Sequence, residues 1–246
     1  MIEEFSCYRD DKRIYGKLYL PSGCDYESLV ILSHGLSLNH SIMESYAVRL
    51  MDVGIASYVF DFCGGGYDSM SDGRISDMSV LTEVDDLECV VDSLKSCGYA
   101  FNRLYLAGHS QGGLVSALVS AKRSDVSALF LFAPAFVIPD DVCESKPLRE
   151  KNVLNLMPEY LGSKYICDAK SLDVYGDIGG YGGPVVIFHG RLDERVVLEY
   201  SVRACSVYDD CELVVFDDGE HRFSDEIKDC VVEMIRDKIT SVSDSF

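Results

Sequence analysis

Short and mostly continuous apolar runs punctuate the chain at 14–20, 29–33, 55–61, 104–108, 128–133, 184–189 and 212–216, rich in Val, Leu, Ile and Phe. Strands covered by helices on both faces lose the in–out alternation of a half-exposed strand, so these runs predict a buried, mostly parallel sheet. The stretches between them carry a different period. Val80, Val84, Leu87, Val91 and Leu94 recur at spacings of four and three. That spacing places one apolar stripe of a helix against the sheet and turns Asp85, Asp86 and Asp92 toward solvent. Ile227, Val231, Met234 or Ile235, and Ile239 repeat the pattern near the end. Strand and helix in alternation predict an α/β fold with helices on both faces of a central sheet. At 246 residues, with no internal repeat, low-complexity tract or linker, the chain 1–246 suits one domain.

One interval breaks the alternation. From about 135 to 183 the sequence is rich in turns and tyrosines, with Pro139, Pro147, Pro158 and the pair Gly179-Gly180. It exceeds an ordinary connection between helix and strand, and predicts a small inserted lid or binding segment, part of which (148–160) has the pattern of a sheet-covering helix.

Composition narrows the classes of partner. With 41 acidic against 22 basic residues the formal charge is −19, a field that repels nucleic acid and anionic membranes. It disfavours strongly anionic substrates too, unless local basic groups offset it. No stretch reaches the roughly 18 to 20 apolar residues of a membrane span, and the acidic start at Glu3 and Glu4 lacks the apolar core of a signal peptide, so a cytoplasmic location is expected. Ten cysteines are scattered singly without a CxxC pair, which predicts reduced thiols and neither a zinc nor a redox motif.

Chemistry enters at Gly108-His109-Ser110-Gln111-Gly112, between a predicted strand and the apolar run 114–121. A sharp turn from strand to helix needs glycines around the serine and leaves its Oγ exposed at the helix start, where free N–H groups favour developing negative charge. A serine hydroxyl needs a base. Of the five histidines, His109 neighbours the serine and faces away from an elbow, His34 and His189 each precede a glycine at a strand end, and His40 sits in a polar loop. His221, between the last strand and last helix, is on the carboxyl edge of a parallel sheet with the serine, and is the expected base. The acid that orients it is expected at Asp193, in the loop after the strand 184–188; Glu194, Asp217 and Asp218 are nearby alternatives. The order Ser110, Asp193, His221 is the chain order of a hydrolase built on such an elbow. Two backbone N–H groups must face the tetrahedral oxygen, and Gln111 and Leu36 are the expected donors.

With these residues in place, the chain resembles the α/β-hydrolase superfamily over nearly its full length. It looks most like small bacterial cinnamoyl (feruloyl) esterases and related carboxylesterases. The matching pieces are Ser33-His34-Gly35, Phe60-Asp61-Phe62-Cys63-Gly64-Gly65-Gly66, Met78-Ser79-Val80-Leu81-Thr82-Glu83-Val84, Gly108 through Gly113, and Gly219-Glu220-His221-Arg222-Phe223-Ser224. The resemblance implies the same triad and oxyanion donors, an insert over the pocket, and neither metal nor organic cofactor. In such enzymes the insert holds an aromatic acyl group, so Asp140 or Asp141 and a tyrosine such as Tyr160 or Tyr165 are expected to meet a ring hydroxyl. Cys63 and Gly65 depart from that loop's usual residues, which bears on acyl preference and not on the triad. The expected function is hydrolysis of small carboxylic esters through an acyl-enzyme, hydroxycinnamoyl esters first, with a short-chain carboxylesterase or thioesterase as the alternative. Amidase or peptidase activity and a non-catalytic binding protein on the same fold stay open. Ser110 excludes the cysteine elbow of dienelactone-type hydrolases, and His34-Gly35-Leu36-Ser37 lacks the His-Gly-Gly-Gly of hormone-sensitive-lipase types. The expected partner is a small-molecule ester, with no nucleic acid or membrane, and a homodimer is left open.

Overall fold

Two strands of mixed polarity open the chain. β1 (Ile2–Arg9) and β2 (Lys12–Tyr19) form an antiparallel hairpin that turns through Asp10 at φ 54°. β1 lies at the sheet edge and mixes charged with apolar residues, of which only Cys7 is buried, so it has no continuous apolar run and the sequence pattern does not predict it. The expected alternation follows, with β3 (Ser28–Ser33), α1 (Ser41–Asp52), β4 (Ala56–Phe60), α2 (Val80–Ser96), β5 (Arg103–His109), α3 (Gln111–Ser120) and β6 (Val126–Phe132). The insert contributes α4 (Ile138–Asp141), α5 (Ser163–Ser171) and α6 (Val174–Ile178) before β7 (Val185–Gly190), α7 (Glu199–Cys205), β8 (Cys211–Phe216) and α8 (Asp225–Ser243). This computed structural model describes residues 1–23, 27–96, 98–99, 101–143 and 161–243. Pro147, Pro158, Tyr160 and the helix expected over 148–160 lie outside the described residues.

The eight strands pair in the order β1-β2-β4-β3-β5-β6-β7-β8, antiparallel at β1/β2 and β2/β4 and parallel from β4 to β8. From β3 the chain passes to β4 on one side and later to β5 on the other, so the strand order reverses between β3 and β5. In open α/β sheets the crevice beyond the carboxyl ends at such a reversal is where ligands bind, because adjacent loops diverge there. Here Ser33 pairs with Gly108, which sets the loop after β3 beside the loop after β5.

Both faces are covered. Leu29 and Ile31 of β3 pack with Val84, Leu87 and Leu114 on one face, and Val30 and Leu32 pack with Met43, Leu50 and Val231 on the other. That double burial explains the continuous apolar runs. The stripe of α2 faces the sheet as its spacing predicts, with one correction: Asp86 is fully buried rather than solvated. Its Oδ1 accepts from Arg9 Nε at 2.5 Å and its Oδ2 from the Cys63 N–H at 2.8 Å. The partner comes from β1, so the missed edge strand and the misplaced carboxylate have the same origin. The described cysteines are free thiols, and no helix among the described residues is long and apolar enough to cross a membrane.

Candidate active site

Ser110 stands between β5 and α3 with φ 56° and ψ −120°, a conformation that costs an L-residue about 1–3 kcal/mol. Close packing holds it there. A Cβ on Gly108 would fall 2.2 Å from the Gly112 carbonyl oxygen, and one on Gly112 would fall 2.5 Å from that of Ser33. Both positions therefore require glycine, and the GxSxG pattern is the imprint of this steric demand. The Ser110 N–H donates to Phe132 O at 2.9 Å, and its own carbonyl accepts from Ala135 N–H at 2.9 Å, tying the turn to β6 and to the start of the insert.

Three loops meet at the serine. His221 Nε2 is 3.0 Å from Ser110 Oγ, and His221 Nδ1 is 2.7 Å from Asp193 Oδ2. The other Asp193 oxygen accepts the backbone N–H groups of Arg195 (2.8 Å) and Val196 (2.9 Å). Burial alone would push the Asp193 carboxyl upward; the His221 hydrogen bond and charge, with those two N–H donors, outweigh it and hold the group below the usual carboxylate range. Among the alternatives, Asp217 pairs instead with Arg191 at 2.7 Å, and Glu194 and Asp218 are exposed.

The remaining histidines hold the scaffold. His34 lies between the Gly35 carbonyl (2.8 Å from Nδ1) and the Phe62 N–H (3.2 Å from Nε2). His40, in an unpromising polar loop by sequence, is buried against Asp61 at 2.8 Å. His189 reaches Ser201 Oγ (2.7 Å) and Val196 O (2.8 Å), steadying the loop that carries Asp193. His109 is buried under His221, with ring centroids 4.8 Å apart and its Nε2 2.9 Å from the His221 carbonyl. Burial and the neighbouring imidazole push His109 down to about 3, so it stays neutral and donates Nε2–H to that carbonyl. Packing accounts for part of His109; the rest is support for the backbone of His221.

Beneath Gln111 lies a polar network that the sequence pattern hides, because Glu83 sits on a helix in an acid-rich chain. Gln111 Nε2 donates to Glu83 Oε2 at 2.8 Å, and Gln111 Oε1 accepts the Tyr165 hydroxyl at 2.5 Å. Glu83 is 1 % exposed, and burial pushes its carboxyl well above the ordinary range despite the bond from Gln111. Gln111 is the first residue of α3, where N–H groups have no intrahelical acceptor. Leu36 lines the same cavity, and a Cβ on its neighbour Gly35 would lie 3.1 Å from Ser110 Cβ, so the two loops nearly touch.

A cavity of about 300 Å³ opens over Ser110. Leu36, Ala135, Val137 and Ile138 give it apolar walls, and Asp141, Arg195 and Arg222 bring charge. Asp141 is pushed up to about 6 by burial and then by the neighbouring Asp140 charge. Asp140 accepts the Tyr200 hydroxyl at 2.8 Å and does not line the cavity. Tyr165 requires a correction: it is fully buried beneath the site with its hydroxyl committed to Gln111, so it supports the elbow rather than meeting a substrate ring. Tyr160 lies outside the described residues. The two arginines were not singled out by sequence; Arg222 directly follows His221 and Arg195 stands two residues after Asp193, and that adjacency was the available signal. Among the described residues no group of three His, Cys, Asp or Glu side chains is placed to hold a metal ion.

The sheet order with its strand–Ser110–helix elbow defines an α/β-hydrolase fold of the serine-hydrolase type. The chain belongs to the family described as serine aminopeptidase, S33, whose model matches residues 25–173. That span contains Ser110 and ends before Asp193 and His221. Human monoglyceride lipase is 28% identical over 150 residues, which cover 60% of this chain and 48% of the lipase; the chain thus spans about half the length of the curated relatives it matches. The structure of Est1E from Butyrivibrio proteoclasticus with ferulic acid bound is similar at a TM-score of 0.85 and 26% identity, over 96% of this chain and 99% of that one. A second structure of Est1E gives 0.80 and 25% over the same shares.

Proposed function

We propose that the chain is a serine carboxylic-ester hydrolase whose preferred acyl group is a hydroxycinnamoyl. The observation that carries this is the Asp193–His221–Ser110 relay, at 2.7 and 3.0 Å, opening into a cavity that Asp141 also lines. Ser110 Oγ attacks the ester carbonyl carbon while His221 Nε2 takes its proton, and Asp193 stabilises the imidazolium. The N–H groups of Leu36 and Gln111 receive the developing oxyanion. On collapse the C–O bond to the alcohol breaks and His221 returns the proton to the leaving oxygen. Water, deprotonated by His221, then attacks the acyl-enzyme; the acid leaves and Ser110 regains its proton.

The aromatic preference draws on the cavity's size, small among ligand pockets, its apolar walls, and the Asp141 carboxyl as acceptor for a ring hydroxyl. The likeness to Est1E with ferulic acid bound supports it from outside. The similarity to monoglyceride lipase favours a second reading, hydrolysis of aliphatic glyceryl esters. Comparing kcat/KM for methyl p-coumarate, methyl cinnamate and p-nitrophenyl decanoate separates the two. The coumarate is expected to be the best of the three; a decanoate better by tenfold would replace the aryl pocket with a lipase-like one.

A further inference from the structure

An acid-rich protein has little reason to leave guanidinium groups unpaired, since acids outnumber bases 41 to 22. Several arginines elsewhere are paired, Arg9 on Asp86, Arg49 on Asp229, Arg123 on Asp125 and Asp92, and Arg191 on Asp217, whereas Arg203 lies over the Tyr175 ring and Arg74 has no ion pair among the described residues. What sets the cavity over Ser110 apart is that two unpaired guanidinium groups line the same space. Arg195 and Arg222 both line it, both are exposed, and neither has an ion-pair partner within 4.0 Å among the described residues. Glu194 and Glu220 lie in an outer groove that shares Arg195 and His221, but they do not line the cavity itself, where Asp141 is the one acidic lining residue among those described.

The chemistry of the site says which part of a substrate these arginines face. His221 must protonate the departing oxygen, so the alcohol portion lies within hydrogen-bond reach of His221 Nε2. Whatever that alcohol carries projects along the His221 side of the cavity, which Arg222 and Arg195 flank. Guanidinium is a planar donor fork matched to carboxylate, and a strongly hydrated neutral group gains far less from it. We infer that the site is built for esters whose leaving alcohol carries a carboxylate, held by Arg195 and Arg222. The inference rests on the ester-hydrolase reading of this site and is independent of the aromatic acyl group.

Ionic strength gives it a distinctive sign. The overall charge of −19 repels an anionic substrate at long range, so without a local subsite added salt would raise kcat/KM for an anionic ester relative to a neutral one. Two guanidiniums close to the bound carboxylate reverse that, because salt then screens an attraction. The test uses matched esters of glycolate (anionic) and glycolamide (neutral), made with p-coumaroyl and with butanoyl acyl groups. The quantity read is the anionic-to-neutral ratio of kcat/KM, in the unaltered protein at low and high salt and in the Arg195→Gln/Arg222→Gln double variant. The ratio is expected to fall about fivefold in the double variant, the scale of exposed charge pairs, and to fall with salt in the unaltered protein. A ratio unmoved by the double substitution, or one that rises with salt, overturns the subsite. If the butanoyl pair shows the charge effect while the coumaroyl pair is inert, the aromatic reading fails and the subsite stands. A protein inert to all four esters overturns both.

Discussion

The floor of the cavity and its insert wall are built on different principles. The floor takes Ser110, Asp193 and His221 from the ends of β5, β7 and β8, and each is fixed by backbone: Asp193 by two N–H donors, His221 through its carbonyl on His109, Ser110 by a turn that tolerates glycine alone around it. The wall takes Ile138 and Asp141 from a short helix at the start of the insert and Val137 from just before it, where little beyond side-chain packing fixes identity. Rigid floors fix chemistry, and adaptable walls fix which molecule is offered to it. Substitutions in the two regions should therefore fail differently.

Largest of all should be the floor. Ser110→Ala and His221→Ala are each expected to lower kcat by on the order of 10³ or more while leaving the thermal midpoint close to that of the unaltered protein, and the double variant should lose no more than either single one. Asp193→Asn should fall comparably, because an amide cannot hold the same tautomer of His221. Additive losses in the double variant would break the claim that these groups act as a unit.

The buried network under Gln111 should give the next effect. Glu83→Leu removes the acceptor of Gln111 Nε2 and lets the start of α3 shift, so kcat is expected to fall roughly tenfold with KM changed less than about twofold. Glu83→Gln keeps an acceptor and should recover most of that loss. Equal losses in both variants would show that the carboxyl does something other than position Gln111.

The wall should change selectivity more than rate. Asp141 carries a carboxyl pushed up to about 6, so on the proposed reading it should accept a hydrogen bond from a ring hydroxyl as a carboxylate above that pH and lose its charge below it. The preference for methyl p-coumarate over methyl cinnamate is expected to rise as pH increases through about 6, by roughly fivefold. Asp141→Asn should flatten that profile while both esters are still turned over. A preference that is constant with pH in the unaltered protein would move the hydroxyl's partner elsewhere.

The same division decides what the sequence made legible. The elbow, the strand ends and the chain order of serine, acid and base follow from steric and topological demands that leave few residue choices, and they pointed to three side chains that the structure brings within hydrogen-bond distance. Tertiary partners were not legible. Asp86 has the helical position of a solvated acid, and only the pairing of β1 beside β2 delivers the Arg9 that buries it. Tyr165 has the composition of a ring-binding residue, yet the adjacency of α5 to the base of α3 turns its hydroxyl to Gln111. Arg195 and Arg222 were visible beside the chosen acid and base, but that they lack partners is a property of the folded surface.

The central claim is that Ser110 becomes acylated with the help of His221. Reaction with a fluorophosphonate followed by digestion and mass mapping reads this directly. The account predicts one adduct, on the peptide bearing Ser110, absent in Ser110→Ala and formed far more slowly in His221→Ala. An adduct on a different residue, or labelling of Ser110 at an undiminished rate without His221, would contradict it.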